Sequence, residues 1–347
     1  MSPDGLTILT YPTLPWFQYP WLKLKLIAKF FFAIVRHNST AFRQLRLGGH
    51  PAVTRSLLSG SQSLGLRFNL NPARQSQLYS WVIVLSSVEA LQQAIRLRAR
   101  GLIQHLWAGP NLVVLPTEHG GILAHPLIDR VVVPSTWVAD QYARLIPQLR
   151  SRIVIWPAGV DTDEFMPSLG TQARSTGSLR VLHYNKLSTP QSTWAPVYRD
   201  VRCYLDVLRC CQVELAYGCY SKSHYAELLR RSDFMIYWTD AGESQGLALL
   251  ESWASDVPTF VSENHWVIIK GVPTSVSSAP YLSQDCGSFF ASYEELISLI
   301  DDLMYVSSRV RYQPRRWVTT HMSDALSAQM LINLFETSVS TDSPRMV

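Results

Sequence analysis

The sequence predicts an α/β protein of two successive units, each a parallel sheet with helices on both faces. Three observations carry this. At 347 residues the chain is about twice a common domain length. From Trp81 onward, short apolar runs alternate with stretches of helical spacing. A polar, small-residue stretch at 168–178 (Ser-Leu-Gly-Thr-Gln-Ala-Arg-Ser-Thr-Gly-Ser) interrupts the alternation, which then restarts.

In chain order, residues 1–75 give the weakest signal. Leu57-Leu58 marks a short helix before Gly60, and no opening strand with a Gly-Gly loop is legible; Gly48-Gly49 follows no clear strand. Within 16–36, Trp, Phe and Leu mix with Lys23, Lys25 and Lys29, and the longest clean apolar run is Phe30 to Val35. That is far short of the ~20 residues of a membrane-spanning helix. It suits either a helix lying in a membrane interface or a partly buried helix whose lysines reach water. Strands follow at Trp81–Leu85, Leu112–Leu115, Val131–Val133 and Ile153–Trp156, the last three closed by Pro116, Pro134 and Pro157. Helices fill Val88–Arg100 and Thr136–Leu145, the latter capped by Ser135. Past the linker, strands are expected at Leu179–Tyr184, Val213–Tyr217, Phe234–Trp238 and Thr259–Val261, with helices at about 195–211, 222–231 and 246–254. Ser292-Tyr-Glu-Glu295 reads as a capping box opening a helix through Met304, and an amphipathic stretch runs from about Ser323 to Phe335. The expected domains are 1–167, with the first 75 residues atypical, and 179–318. Residues 319–347 form a helix packing back on the first domain, and a tail.

The stretch from Ser232 to Val261 holds most of the chemistry. A buried strand leads into a loop with Gly242 and Glu243, and Gly246 then opens a helix. The unpaired N–H groups and positive dipole end of such a helix suit a diphosphate, and Gly lets a phosphate approach the backbone. Glu251 lies five residues into the helix, roughly 7.5 Å along its axis. Carboxylates on either side of an anion site fit a ligand with hydroxyls on both sides of a diphosphate. A nucleotide sugar has that shape. Two solvated helix-face carboxylates would be the plain alternative.

Glu243-x7-Glu251 with internal Gly246-Leu247, followed by Ala254-x-x-x-Pro258, resembles the donor-site signature of retaining group-1 glycosyltransferases. Ser244 and Gln245 stand where that family has Gly-Phe, Ser252 where it has Ala, and Asp256 where it has Gly. Asp tolerates the left-handed conformation of a helix end. The text from Val131 to Pro167, with Pro134-Ser135 and Gly159-Val160-Asp161, is similar to the family's end of the first domain. Asp285–Met304 is similar to its last strand and helix.

The resemblance implies the GT-B fold, two Rossmann-like domains facing a central cleft. It implies a metal-independent transferase of the hexosyltransferase type, with a nucleotide sugar as co-substrate and no separate cofactor. Glu243 would hold the transferred sugar, Glu251 the ribose, and the Gly246 and Leu247 N–H groups the diphosphate. Lys186 is the one clear match to a pair of phosphate-binding cations. Tyr217-Gly218 and Tyr220-Ser221 fall where the family loop touches the nucleobase. His119, in Thr117-Glu118-His119-Gly120-Gly121, falls where the family places a histidine facing the sugar; Glu118 beside it and an ordinary loop histidine are the competing readings.

The acceptor is expected to be a glycan or lipid-linked glycan, in polysaccharide biosynthesis. The setting is cytoplasmic, with residues 16–36 as a peripheral contact at the inner membrane face. A nucleotide-sugar epimerase and a catalytically silent binding relative are the alternatives. The formal charge of +5 is mild and no nucleic-acid partner is expected. Hydrophobic residues at 47% against 16% charged exclude extended disorder. Five cysteines without a C-x-x-C pair suit reduced thiols, and His119 and His125 lack the company of a zinc site. Asp161-Thr-Asp163 reads as structural rather than as a metal-binding D-x-D. Asn38-Ser-Thr40 reads as a chance glycosylation match, since no basic leader opens the chain.

Overall fold

A computed structural model describes residues 5–12, 51–168, 178–188, 191–304 and 312–342, with side chains through 338. Stretch 16–36, Asn38-Ser-Thr40 and most of the 168–178 linker lie outside the described residues. The chain forms two compact units, Met1–Gly159 with Asp324–Val347, and Val160–Ser323. Residues 160–167 thus go with the second unit rather than the first, and the chain crosses between units before the stretch read as a linker.

The first unit holds a six-stranded parallel sheet, ordered β2-β1-β3-β4-β5-β6. Its strands are β1 (Leu6–Leu9), β2 (Phe68–Leu70), β3 (Trp81–Ser86), β4 (His105–Asn111), β5 (Arg130–Val133) and β6 (Ile153–Ile155). Helices α1 (Pro51–Ser63), α2 (Val88–Ala99) and α3 (Thr136–Leu145) belong to it. Two expectations are corrected here. An opening strand exists: β1 is wholly buried and pairs with both β2 and β3. Leu112–Leu115 is not a strand; the pairing runs through His105–Asn111, with Val114 exposed in the loop beyond. The run Leu-Val-Val-Leu has the composition of a strand, but β4 is placed by its partners on both sides, Trp81↔His105 and Trp107↔Arg130.

One face of this sheet packs Val82, Val84, Leu106, Val131 and Val133 against Leu91, Leu97 and Tyr142. Trp81 and Trp107 stack on Phe335, which comes from the last helix. That helix runs Asp324–Asp342 and packs on α1. Gly60 lies inside α1 rather than after it. A Cβ there would meet the Asp324 carbonyl oxygen at 2.0 Å, so only glycine allows the two helices so close. Trp156 Nε1 donates to the Ser327 carbonyl at 2.9 Å, and Ser327 Oγ to that of Pro157 at 2.6 Å.

The second unit holds a five-stranded parallel sheet, ordered β13-β10-β9-β7-β8, and a separate hairpin β11-β12. The strands are β7 (Arg180–Lys186), β8 (Cys211–Ala216), β9 (Phe234–Thr239), β10 (Thr259–Ser262), β11 (Trp266–Ile269), β12 (Val272–Ser275) and β13 (Gly287–Phe290). Its helices are α4 (Trp194–Val207), α5 (Lys222–Arg230), α6 (Leu247–Ala254), α7 (Tyr293–Met304) and α8 (Pro314–His321), and α9 names the returning Asp324–Asp342. Ser292 caps α7 by accepting from Glu295 N at 3.2 Å, while Glu295 Oε2 accepts from Ala291 N at 2.7 Å. Asp256 takes φ 61° after α6, the left-handed position read from its place in the motif. No described helix is long and apolar enough to cross a membrane.

Candidate active site

Parallel pairing of β7 with β9 sets Tyr184 beside Tyr237 and Lys186 beside Thr239. Side chains on one face of paired strands repeat every second residue, so these four share a face near the carboxyl ends of both strands. In open parallel sheets that end is where ligands bind.

The loop from Asp240 to Gly246 leaves β9 and is pinned from several sides. Ser262 Oγ donates to Thr239 O and accepts from Thr239 N, both at 2.8 Å. Asn264 Nδ2 donates to Thr239 O at 2.8 Å. Glu243 N donates to Ser277 O at 2.9 Å, and Ser188 Oγ donates to Asp240 Oδ2 at 2.7 Å. A loop tied this way holds its side chains to one geometry.

That geometry buries Glu243. Its Oε1 receives Lys186 Nζ at 2.5 Å and Tyr237 Oη at 2.7 Å. Lys186 Nζ also stands 4.6 Å from the centroid of the Tyr217 ring. A carboxylate taken from water needs compensating donors, and the ion pair and phenol supply them. Gly246 follows with φ 80° and ψ 54°, the left-handed region that glycine enters at least cost. It turns the chain into α6, its carbonyl accepting from Leu249 N at 3.0 Å and Leu250 N at 3.2 Å. The N–H groups that this helix start leaves for a ligand are therefore those of the residues before Leu249.

Glu251, half-buried on α6, faces a cluster of tyrosines. Tyr184 and Tyr220 share a hydroxyl–hydroxyl bond of 2.5 Å, and Tyr184 stacks on Tyr237 with centroids 4.9 Å apart. Tyr225 Oη donates to Ala248 O at 2.8 Å. Burial pushes the Tyr220 phenol up to about 12, with the Glu251 charge adding to it. Burial raises Tyr184, Tyr225 and Tyr237 still further, so all four stay protonated donors at neutral pH. Nothing in the pattern of a buried apolar strand signals the roles of Tyr184 and Tyr237. The only sign is a phenol in an otherwise apolar run.

Of the residues read from sequence, Glu243, Lys186, Gly246, Leu247, Glu251, Tyr220 and Ser221 all fall in the second unit. Glu243 and Lys186 are in direct contact, and a Cβ on Gly246 would lie 3.7 Å from Glu243 Cβ. Ser221 caps α5, its Oγ accepting from His224 N at 3.2 Å, which gives this hydroxyl a structural task. His119 belongs to the first unit. It is exposed, sits in a turn beyond β4 and takes φ 51°, followed by Gly120 and Gly121 at 68° and 70°. Glu118 Oε1 accepts from Leu115 N at 3.0 Å within the same turn. Asp161 Oδ1 accepts from the N–H groups of Asp163 and Glu164, and Lys222 Nζ lies 3.9 Å from Asp161 and 2.7 Å from Glu164. The D-x-D pair therefore builds its own loop.

No family model matches the chain, and no curated protein sequence matches it. Solved structures do. The Anabaena HepE protein, solved with UDP and glucose, aligns with a TM-score of 0.55 at 11% identity, over 96% of this chain and 99% of its own. A glycosyltransferase from Rickettsia africae aligns at 0.55 and 11%, over 98% and 99%. The catalytic domain of Arabidopsis thaliana starch synthase IV, bound to ADP and acarbose, aligns at 0.54 and 10%, over 86% and 79%. The fold is GT-B. At these identities the likeness is one of fold. Each GT-B unit is Rossmann-like, and the site around Glu243 lies at the strand ends of the second.

Proposed function

We propose that this chain is a retaining, metal-independent glycosyltransferase that takes a hexosyl group from a nucleotide sugar. The observation that carries the reading is the buried Glu243 carboxylate, gripped by Lys186 and Tyr237 directly before the Gly246 turn into α6. Support also comes from neighbours of the same fold solved with UDP and glucose, or with ADP.

In this reading Glu243 accepts hydrogen bonds from the sugar hydroxyls. The N–H groups at the start of α6 and Lys186 take the diphosphate, where the leaving group gathers negative charge. Fixed donors there need no reorganisation as the charge develops. Glu251 accepts from the ribose hydroxyls. Tyr220 lines the nucleotide side. The departing phosphate takes the acceptor's proton, and the acceptor hydroxyl enters from the same face. The acceptor we infer is a glycan, lipid-linked where stretch 16–36 meets the inner face of a membrane. Flotation with liposomes tests that part: Lys23, Lys25 and Lys29 all changed to Glu should lose binding, and equal binding removes it.

The donor assignment is tested by thermal shift with UDP, GDP, ADP and their sugars. One nucleotide should raise the melting temperature with concentration, and Glu251→Ala should remove the effect. No shift with any of them overturns the reading in favour of a silent binding protein. Turnover of the donor to its epimer without an acceptor would indicate an epimerase.

A further inference from the structure

Tyr237 occupies the middle strand of the five-stranded sheet, where every residue of β9 is buried. On its face of the sheet the surrounding core includes Met235, Leu250 and Val261, so a phenylalanine would satisfy packing as well. The hydroxyl adds a buried polar atom that must find a partner, and its partner is Glu243 Oε1 at 2.7 Å.

The same oxygen receives Lys186, and the two donors differ in kind. Lysine is a point charge on a flexible stem, whereas a stacked phenol has almost no freedom. The Tyr237 ring is held face to face by Tyr184, with an interplanar angle of 10°. Tyr184 is held in turn by Tyr220 through their hydroxyls.

We propose that Tyr237 is a positioning residue: it fixes the Glu243 carboxylate for the sugar, leaving Lys186 able to turn toward the diphosphate without loosening that carboxylate. The inference rests on the glycosyltransferase reading. It adds a division of labour, a rigid donor serving the sugar end and a mobile cation serving the phosphate end. A merely structural tyrosine would affect both ends alike or neither.

The test is calorimetric titration of wild type and Tyr237→Phe with three pairs: UDP and UDP-glucose, GDP and GDP-mannose, ADP and ADP-glucose. In the pair that wild type binds, the variant should hold the nucleoside diphosphate within about twofold, since its grip is elsewhere. It should bind the nucleotide sugar roughly tenfold more weakly, as the loss of a bond to a charged group implies. Lys186→Met should weaken both members of the pair. Unchanged binding of both by Tyr237→Phe overturns the proposal, as does an equal loss of both. Wild type that binds no member of any pair overturns the donor reading itself. Retained nucleoside diphosphate binding also shows that the variant is folded.

Discussion

The inner strands β3 and β5 of the first unit, each paired on both sides, bury the aliphatic stretches Val82, Ile83, Val84 and Val131–Val133, while β7 and β9 of the second bury His183, Tyr184, Tyr237 and Trp238. Both sheets are parallel and both need dry interiors. The second nevertheless carries an imidazole, two phenols and an indole N–H inside, and each has an identified partner. Trp238 Nε1 donates to His183 Nδ1 at 3.1 Å, and His183 Nε2 meets Gln212 Oε1 at 2.9 Å. Because the indole can only donate, the imidazole is neutral with its proton on Nε2. The phenols reach Tyr220 and Glu243. An all-aliphatic strand is stabilised by burial alone. A strand with satisfied polar atoms also dictates where its neighbours point, and in the second unit those neighbours line the candidate site.

That contrast can be broken most forcefully at Glu243. Glu243→Gln keeps the shape and an acceptor for Tyr237 but removes the charge; transfer should fall by roughly 10²–10³-fold, with a melting temperature close to wild type. Wild-type activity in that variant would mean the polar interior serves stability only. In the first unit the largest effect should come from packing: Gly60→Val forces a side chain onto the Asp324 carbonyl and should cost about 3 kcal/mol in denaturant melts. Nucleotide binding by the second unit should survive where the protein remains folded.

Acid sharpens the same contrast. Burial depresses the His183 pKa to about 4 from its ordinary 6.5. The unfolded chain therefore binds this proton first, and the stability tied to a neutral His183 is complete above pH 6.5. It is lost as pH falls toward 4, by up to roughly 3 kcal/mol. His183→Gln should flatten the pH dependence of melting across that window. The smallest effect is expected at the hairpin, where Trp266 is 69% exposed. Trp266→Ser should change stability by less than about 0.5 kcal/mol.

The alternation of strands and helices was legible because each element buries a continuous apolar run, and Phe234–Thr239 and Thr136–Leu145 lie within a residue of expectation. Leu6–Leu9 escaped notice because four residues carry little periodic signal, and its place comes from pairing with distant Trp81–Val84. His105–Asn111 was hidden by Gly109 and Pro110, which read as strand breakers. The hairpin Trp266–Ser275 turns through Lys270-Gly271, both at positive φ, where the usual sequence cue is Asn-Gly or Asp-Gly. Within the candidate site, Glu243, Gly246 and Glu251 stood out because their spacing spans one loop and one helix turn. Lys186 meets Glu243 only through the pairing of β7 with β9, and Tyr237 only because the loop after β9 folds back over it, neither of which a local pattern encodes.

The returning helix α9 has a consequence for the order in which the protein is made. Phe335 fills the stack against Trp81 and Trp107, and Ser327 closes the contacts of Trp156 and Pro157. These residues leave the ribosome after all of 160–323, whose two ends already meet through the bridge of Val160 to Ser323. Since units that are complete can fold during synthesis, the second unit is ready first. The earlier-made one waits with two tryptophans uncovered, and a premature stop before Phe335 would strand it in that state for chaperones and proteases to find.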